Sequence, residues 1–140
     1  MATYNEDELR LNIYISNLFL RINGNAIMSG YSYAMTAVKF VLKEGLVSMM
    51  SDVYPYVAKV HNTTPSRVER NIRHFVKTIW IRERVVEINR VFGANVYDKN
   101  NKPTNTEFIC LVAEKAATNY AFINGICKSL YPNPRPDPTN

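Results

Sequence analysis

The sequence is poor in the residues that usually advertise chemistry. Its 140 residues hold two cysteines, Cys110 and Cys127, and two histidines, His61 and His74. The cysteines have neither the C-x-x-C spacing of a metal or redox site nor the density of a disulfide scaffold, and they read as free, buried thiols. Neither histidine has a second histidine or an i, i+4 carboxylate with which to hold zinc. There is no glycine-rich phosphate loop, no G-x-S-x-G turn and no cysteine or serine with an evident base partner. No cofactor or metal is expected, and no enzyme. Apolar runs such as Val38-Lys39-Phe40-Val41-Leu42 are short and broken by charge, far from the roughly 18–20 residues of a membrane span. The opening Met1-Ala2-Thr3-Tyr4-Asn5-Glu6-Asp7-Glu8 is acidic where a secretory leader is basic and then apolar. These features predict a soluble, cytoplasmic protein with no membrane partner.

What is present suits one compact domain. Apolar residues make up 46% of the chain and charged residues 21%, enough to bury a core and too mixed for wholesale disorder or a fibrous repeat. The net charge of +5 is unevenly placed. Lys59 to Arg90 carries eight bases (Lys59, Arg67, Arg70, Arg73, Lys77, Arg82, Arg84, Arg90) against three acids (Glu69, Glu83, Glu87), while the remainder has nine of each sign. All the excess therefore originates in one segment. Such a segment attracts polyanions, nucleic acid first, because neutralising phosphates releases condensed counterions. On charge alone, a solvated helix face explains it equally well.

Residues 6 to 22 have helix-length apolar spacing on more than one side (Leu9, Ile13, Leu18, Leu20, with Ile15 and Phe19 between), which predicts a substantially buried first helix. Asn23-Gly24-Asn25 signals a turn, and after Gly30 the residues Tyr33, Ala37, Phe40 and Val41 share one face of a second helix up to Glu44-Gly45. Pro55 splits the segment Leu46–His61 into two short helices, with a break near Asp52 to Tyr54. Asn62-Thr63-Thr64-Pro65 then combines a polar turn, Thr64 as N-cap and proline at the first helical position, where its missing N–H costs nothing. A helix follows to Trp80, and another from Glu83 to Phe92 is closed by Gly93. After a polar connector, Thr104-x-x-Glu107 matches a capping box ahead of Phe108, Ile109, Leu111 and Val112. This last helix is expected to run towards Leu130 despite Gly125. The division is a helical domain over residues 1–130 and a disordered, proline-rich tail over 131–140.

Val53, Val57 and Val60 lie at i, i+4 and i+7, followed by a three-residue turn and the helix opened by Pro65. This is a helix-turn-helix, whose DNA-binding form sets the start of the second helix in the major groove. At about 100° per residue, Val68, Ile72, Phe75, Val76 and Ile79 face the core. Ser66, Arg70, Arg73 and Lys77 lie opposite, with Arg67 and His74 along one edge. An arginine fork can pair with guanine O6 and N7, whereas lysine gives a less directional phosphate contact. Glu69 on the flank either accepts from cytosine N4 or orients a neighbouring arginine. His74 reads as a neutral phosphate or solvent contact, and Trp80 as core or hinge packing.

The run Asn62-Thr63-Thr64-Pro65-Ser66-Arg67-Val68-Glu69-Arg70-Asn71-Ile72-Arg73-His74, after Tyr54-Pro55 and before Trp80, strongly resembles the C-terminal effector domain of the sporulation stage-zero protein A family of response regulators. Gly30-Tyr31-x-Tyr33, Phe92-Gly93, Lys102-Pro103-Thr104-Asn105-x-Glu107-Phe108-Ile109 and Val112-Ala113 agree, so the resemblance covers roughly Ile22 to Lys115. It implies an all-α bundle of about six helices that binds a short DNA box, often as tandem copies, and regulates transcription through contact with RNA polymerase sigma factor. By position, it implies that Arg67, Glu69, Arg70 and Arg73 approach bases or adjoining phosphates and that His74 sits on the backbone side. Ser66 is a further phosphate candidate, and Lys102 falls in a loop near DNA.

Two departures bear on function. The residues ahead of Gly30 are too few for the family's receiver domain, so control by phosphorylation of an aspartate in this chain is not expected. Arg82-Glu83-Arg84-Val85-Val86-Glu87-Ile88-Asn89-Arg90 is highly charged where the family is milder and uses glycine, in its sigma-facing region. The resemblance thus carries DNA binding further than activation. Residues beyond Ala116, including Tyr120, Phe122, Ile126 and Leu130, extend past the family domain and offer a packing or dimer surface. The expected function is a sequence-specific regulator of double-stranded DNA. The alternative is an adaptor or antagonist that pairs, as a homodimer or with a related regulator, through its C-terminal helix.

Overall fold

Punctuating residues bound several of the helices in a computed structural model, which describes residues 6–22, 24–45, 48–81, 85–92 and 102–119. Helix α1 spans Glu6–Arg21 and α2 Ser29–Glu44. A π-helical turn, Met49–Val53, leads directly into α3, Tyr54–His61, and α4 follows over Pro65–Ile81. Helices α5, Val85–Phe92, and α6, Asn105–Asn119, complete the set, with no strand among the described residues. The architecture is all-α, as expected.

Local chemistry explains the boundaries. Gly45 ends α2 at φ 85°, and its N–H donates to the Val41 carbonyl. Pro55 occupies the first turn of α3 and therefore removes no helical hydrogen bond. The break expected near Asp52 is a widened π turn instead of a gap, capped where Ser48 accepts from the Ser51 N–H. Asn62 closes α3 in the left-handed conformation at φ 54°, which its short polar side chain tolerates better than a branched one. The capping box is reciprocal: the Thr104 N–H donates to Glu107 Oε1 at 3.0 Å, and the Glu107 N–H to Thr104 Oγ1 at 3.2 Å.

The core is organised by one ring from each of four helices. Phe19 of α1, Tyr31 of α2, Phe75 of α4 and Phe108 of α6 meet with centroids 5.3 to 6.1 Å apart, mostly edge-on. Each such pair adds about 0.5–1.5 kcal/mol to the burial of its area. Helix α2 lies at the centre, against α1, α3, α4 and α6. It approaches α4 so closely that a Cβ on Gly30 would stand 2.2 Å from the Asn71 carbonyl oxygen. Gly30 thus lies inside the first turn of α2, not ahead of it, and its missing side chain sets the α2–α4 separation.

Several expectations are corrected. Leu9, Ile13 and Leu20 are about half exposed on α1, and its buried residues are Leu11, Ile15, Leu18 and Phe19. The apolar residues encircle that helix, so periodicity could not choose the inner face. Val60 is likewise outward, 52% exposed, while Val53 and Val57 are fully buried. On α2, Tyr33 and Phe40 sit at the margin of the core, and Gly30, Tyr31, Ala34, Ala37, Val38, Val41 and Leu42 form its buried side. Cys110 is half-buried and unpaired, and burial together with Glu114 pushes its thiol pKa up. Glu83, Gly93, most of the polar connector, Cys127, the extension of α6 to Leu130 and the tail over 131–140 lie outside the described residues.

Candidate nucleic-acid interface

Helix α3, the turn of residues 62 to 64 and α4 form the expected helix-turn-helix. Thr64 caps α4: its Oγ1 accepts from the Arg67 N–H at 3.3 Å, and its carbonyl from the Val68 N–H at 3.0 Å. The buried face consists of Val68, Ile72, Phe75, Val76, Ile79 and Trp80. This is the set expected from helical periodicity, with Trp80 in the core beside Phe108, ring centroids 6.5 Å apart. Burying so much of one face fixes the rotation of α4 and thereby presents the other face to solvent.

On that outer face, Ser66, Arg67, Arg70, Arg73, His74 and Lys77 are all exposed, and no described element covers them. Arg70, Asn71, Arg73, His74 and Lys77 of α4 line one open groove together with Lys102 from the approach to α6. Ser66 and Arg67 lie outside this groove, nearer the start of α4. Four cationic side chains around one groove make a strongly positive concavity with no described carboxylate among its lining residues.

Glu69 stands apart. Its Oε1 accepts from Arg73 Nη1 at 2.8 Å, one turn along α4, both side chains being partly exposed. Asn71 was not singled out from the sequence, although it lies one turn beyond Arg67 on the same side. Its Nδ2 donates to the Arg67 carbonyl at 2.7 Å, which leaves the amide edge lying along the groove. Asn105 was also missed. It is 9% exposed and donates from Nδ2 to both the Tyr54 hydroxyl, at 3.1 Å, and the Glu69 carbonyl, at 3.0 Å. No local pattern marks it, because both partners are distant in the chain.

Chemically, the arrangement can accept an anionic polymer along α4 and hold guanidinium forks where planar acceptors would meet them. Among the described residues, no three potential ligands converge to hold a metal ion, and no helix is long and apolar enough to cross a membrane. A family model described as "Sporulation initiation factor Spo0A C terminal" matches residues 15–116. The match begins about two turns earlier than the resemblance at Ile22, taking in Ile15, Leu18 and Phe19, the part of α1 that enters the core. A helix-turn-helix with an uncovered cationic outer face, inside a six-helix bundle matched over most of its length, leads to one conclusion: the chain belongs to the Spo0A C-terminal family, the DNA-binding effector domains of sporulation regulators.

Proposed function

We propose that this chain is a sequence-specific transcription regulator that inserts the first half of α4 into the major groove of duplex DNA. The observation that carries this reading is the free outer face of α4, where Arg67, Arg70, Arg73, His74 and Lys77 are exposed in the isolated molecule. Arg70 and Arg73 are the base-reading candidates, with Glu69 holding Arg73 in place. Ser66, Arg67, His74, Lys77 and Lys102 serve the flanking phosphates. No described element covers that face, so the described residues can present it to DNA without rearranging.

Pairing through the final helix would fall on its extension past Ala116, including Tyr120, Phe122, Ile126 and Leu130, which lies outside the described residues. Phe108, Ile109, Val112, Ala113 and Ala116 of α6 are buried within the bundle, and Leu111 and Ala117 pack against it. The described part of α6 therefore has no spare apolar face for a partner. A contact with sigma factor would involve the surface around α5, where Val86 is 71% exposed. Selection from a random duplex library at two salt concentrations tests the proposal. A single enriched box whose preference survives at the higher salt supports base readout, and enrichment of no sequence at either salt overturns it.

A further inference from the structure

Among the described residues, Asn105 is the buried polar side chain at the junction of three helices: α3 through Tyr54, α4 through Glu69, and α6, whose first residue it is. The bonding assigns its amide without ambiguity. A backbone carbonyl cannot donate, so the atom facing the Glu69 oxygen must be nitrogen, and the second hydrogen of the same nitrogen points at the Tyr54 hydroxyl. Both donors are thus used. The Glu69 carbonyl has two lone pairs, so it can take Asn105 on one and keep its helical partner on the other.

Pro103 is buried and Thr104 is locked in the capping box, so the short path from Asn105 back to Lys102 is rigid. Lys102 itself is exposed and lines the same open groove, of about 440 Å³, as Arg70, Arg73, His74 and Lys77. The groove is lined from two elements, α4 and the lead-in to α6. A side-chain hydrogen bond joins the two elements directly: the one Asn105 makes to the Glu69 carbonyl.

We infer that Asn105 is a positioning residue for DNA: by tying the start of α6 to the Glu69 carbonyl and the Tyr54 hydroxyl, it holds Lys102 across the groove from α4, so that one backbone phosphate is gripped from both sides. The inference rests on the DNA-binding reading above. It explains why an amide is buried where an apolar residue would pack without a desolvation cost. It also accounts for the placement of Lys102, some thirty residues from the α4 face in sequence, with no local signal of its own.

The test compares Asn105→Ala, Lys102→Ala and the double variant on the duplex recovered by selection and on a scrambled duplex, with affinity measured across a salt series. Each phosphate contact contributes about 0.9 to the slope of log affinity against log salt on B-form DNA. Lys102→Ala and Asn105→Ala are each expected to reduce the slope by about one such contact on both duplexes, and the double variant to reduce it no further. Loss of packing alone would lower thermal stability without moving the slope. An unchanged slope in either single variant, or additive losses in the double variant, overturns the inference. Should Asn105→Ala fail to fold, Tyr54→Phe, which removes one of the two acceptors, is carried through the same cycle with Lys102→Ala and judged by the same non-additivity. Arg70→Ala separates the two levels. If the parent protein binds neither duplex, the DNA-binding reading fails and this inference with it. If the parent binds and Arg70→Ala loses preference while the Asn105 and Lys102 slopes stay put, only the positioning role fails.

Discussion

Arg70 and Lys77 occupy the same face of α4, two turns apart, yet they differ in what they can distinguish. The guanidinium presents two parallel donors that fit one base edge and misfit others, whereas the ammonium is a point charge that any phosphate satisfies. Arg70→Ala is expected to cost about 1–3 kcal/mol on the preferred duplex and to flatten discrimination, and Lys77→Ala to weaken preferred and scrambled duplexes alike, as read by paired titrations. His61 makes a different kind of prediction. Burial, reinforced by Lys39, pushes its pKa down, and its Nε2 lies 2.7 Å from Thr36 Oγ1 with the Tyr33 ring edge-on. In the unfolded chain, histidine takes up a proton near pH 6.5, which the folded site resists. The contribution to stability is therefore full above about pH 6.5 and falls as pH drops through that value towards the lower folded pKa. Melting temperature should decline between pH 7.5 and 5.5 more steeply for the parent than for His61→Asn.

At the scale of elements, the decisive pair is α2 on α4. Gly30 lets the first turn of α2 rest on the Asn71 backbone, and the obstacle to any side chain there is main chain, which cannot rotate away. Gly30→Ala is expected to destabilise the bundle by about 1–3 kcal/mol, measured by denaturant unfolding, despite the better helix propensity of alanine. It should weaken DNA binding too, since displaced α4 carries the arginines with it. The helix-turn-helix was legible in the sequence because its determinants are local. Thr64 and Pro65 are adjacent, and the buried positions from Val68 to Ile79 recur with the helical period on a helix that is polar elsewhere. Helix α1 was legible as a helix but not as a packed face, because Leu9 and Ile13 are as apolar as Leu11 and Ile15 and only the neighbours decide which pair is covered.

For the whole molecule, the net excess of positive charge arises within Lys59–Arg90, and Arg67, Arg70, Arg73 and Lys77 of that segment stand exposed along α4. A ligand that binds only the folded state stabilises it by mass action, by about 2.7 kcal/mol at a hundredfold excess over its dissociation constant. The selected duplex should therefore raise the melting temperature in a concentration-dependent manner. At equal concentration a scrambled duplex should raise it less, and the difference should survive added salt while the non-specific part fades. Failure of the two duplexes to differ in calorimetry would count against readout of sequence.

The start of α4 at Pro65 with its Thr64 cap, the capping box at Thr104 and the polar side of α4 follow from interactions within a few residues, and the chain specified them unaided. Which apolar residues face water, how near α2 stands to α4, and the meeting of Lys102 and Asn105 with a helix some thirty residues upstream were settled only by packing. Those contacts join positions far apart in sequence, and their geometry exists only once the four central rings have closed the bundle.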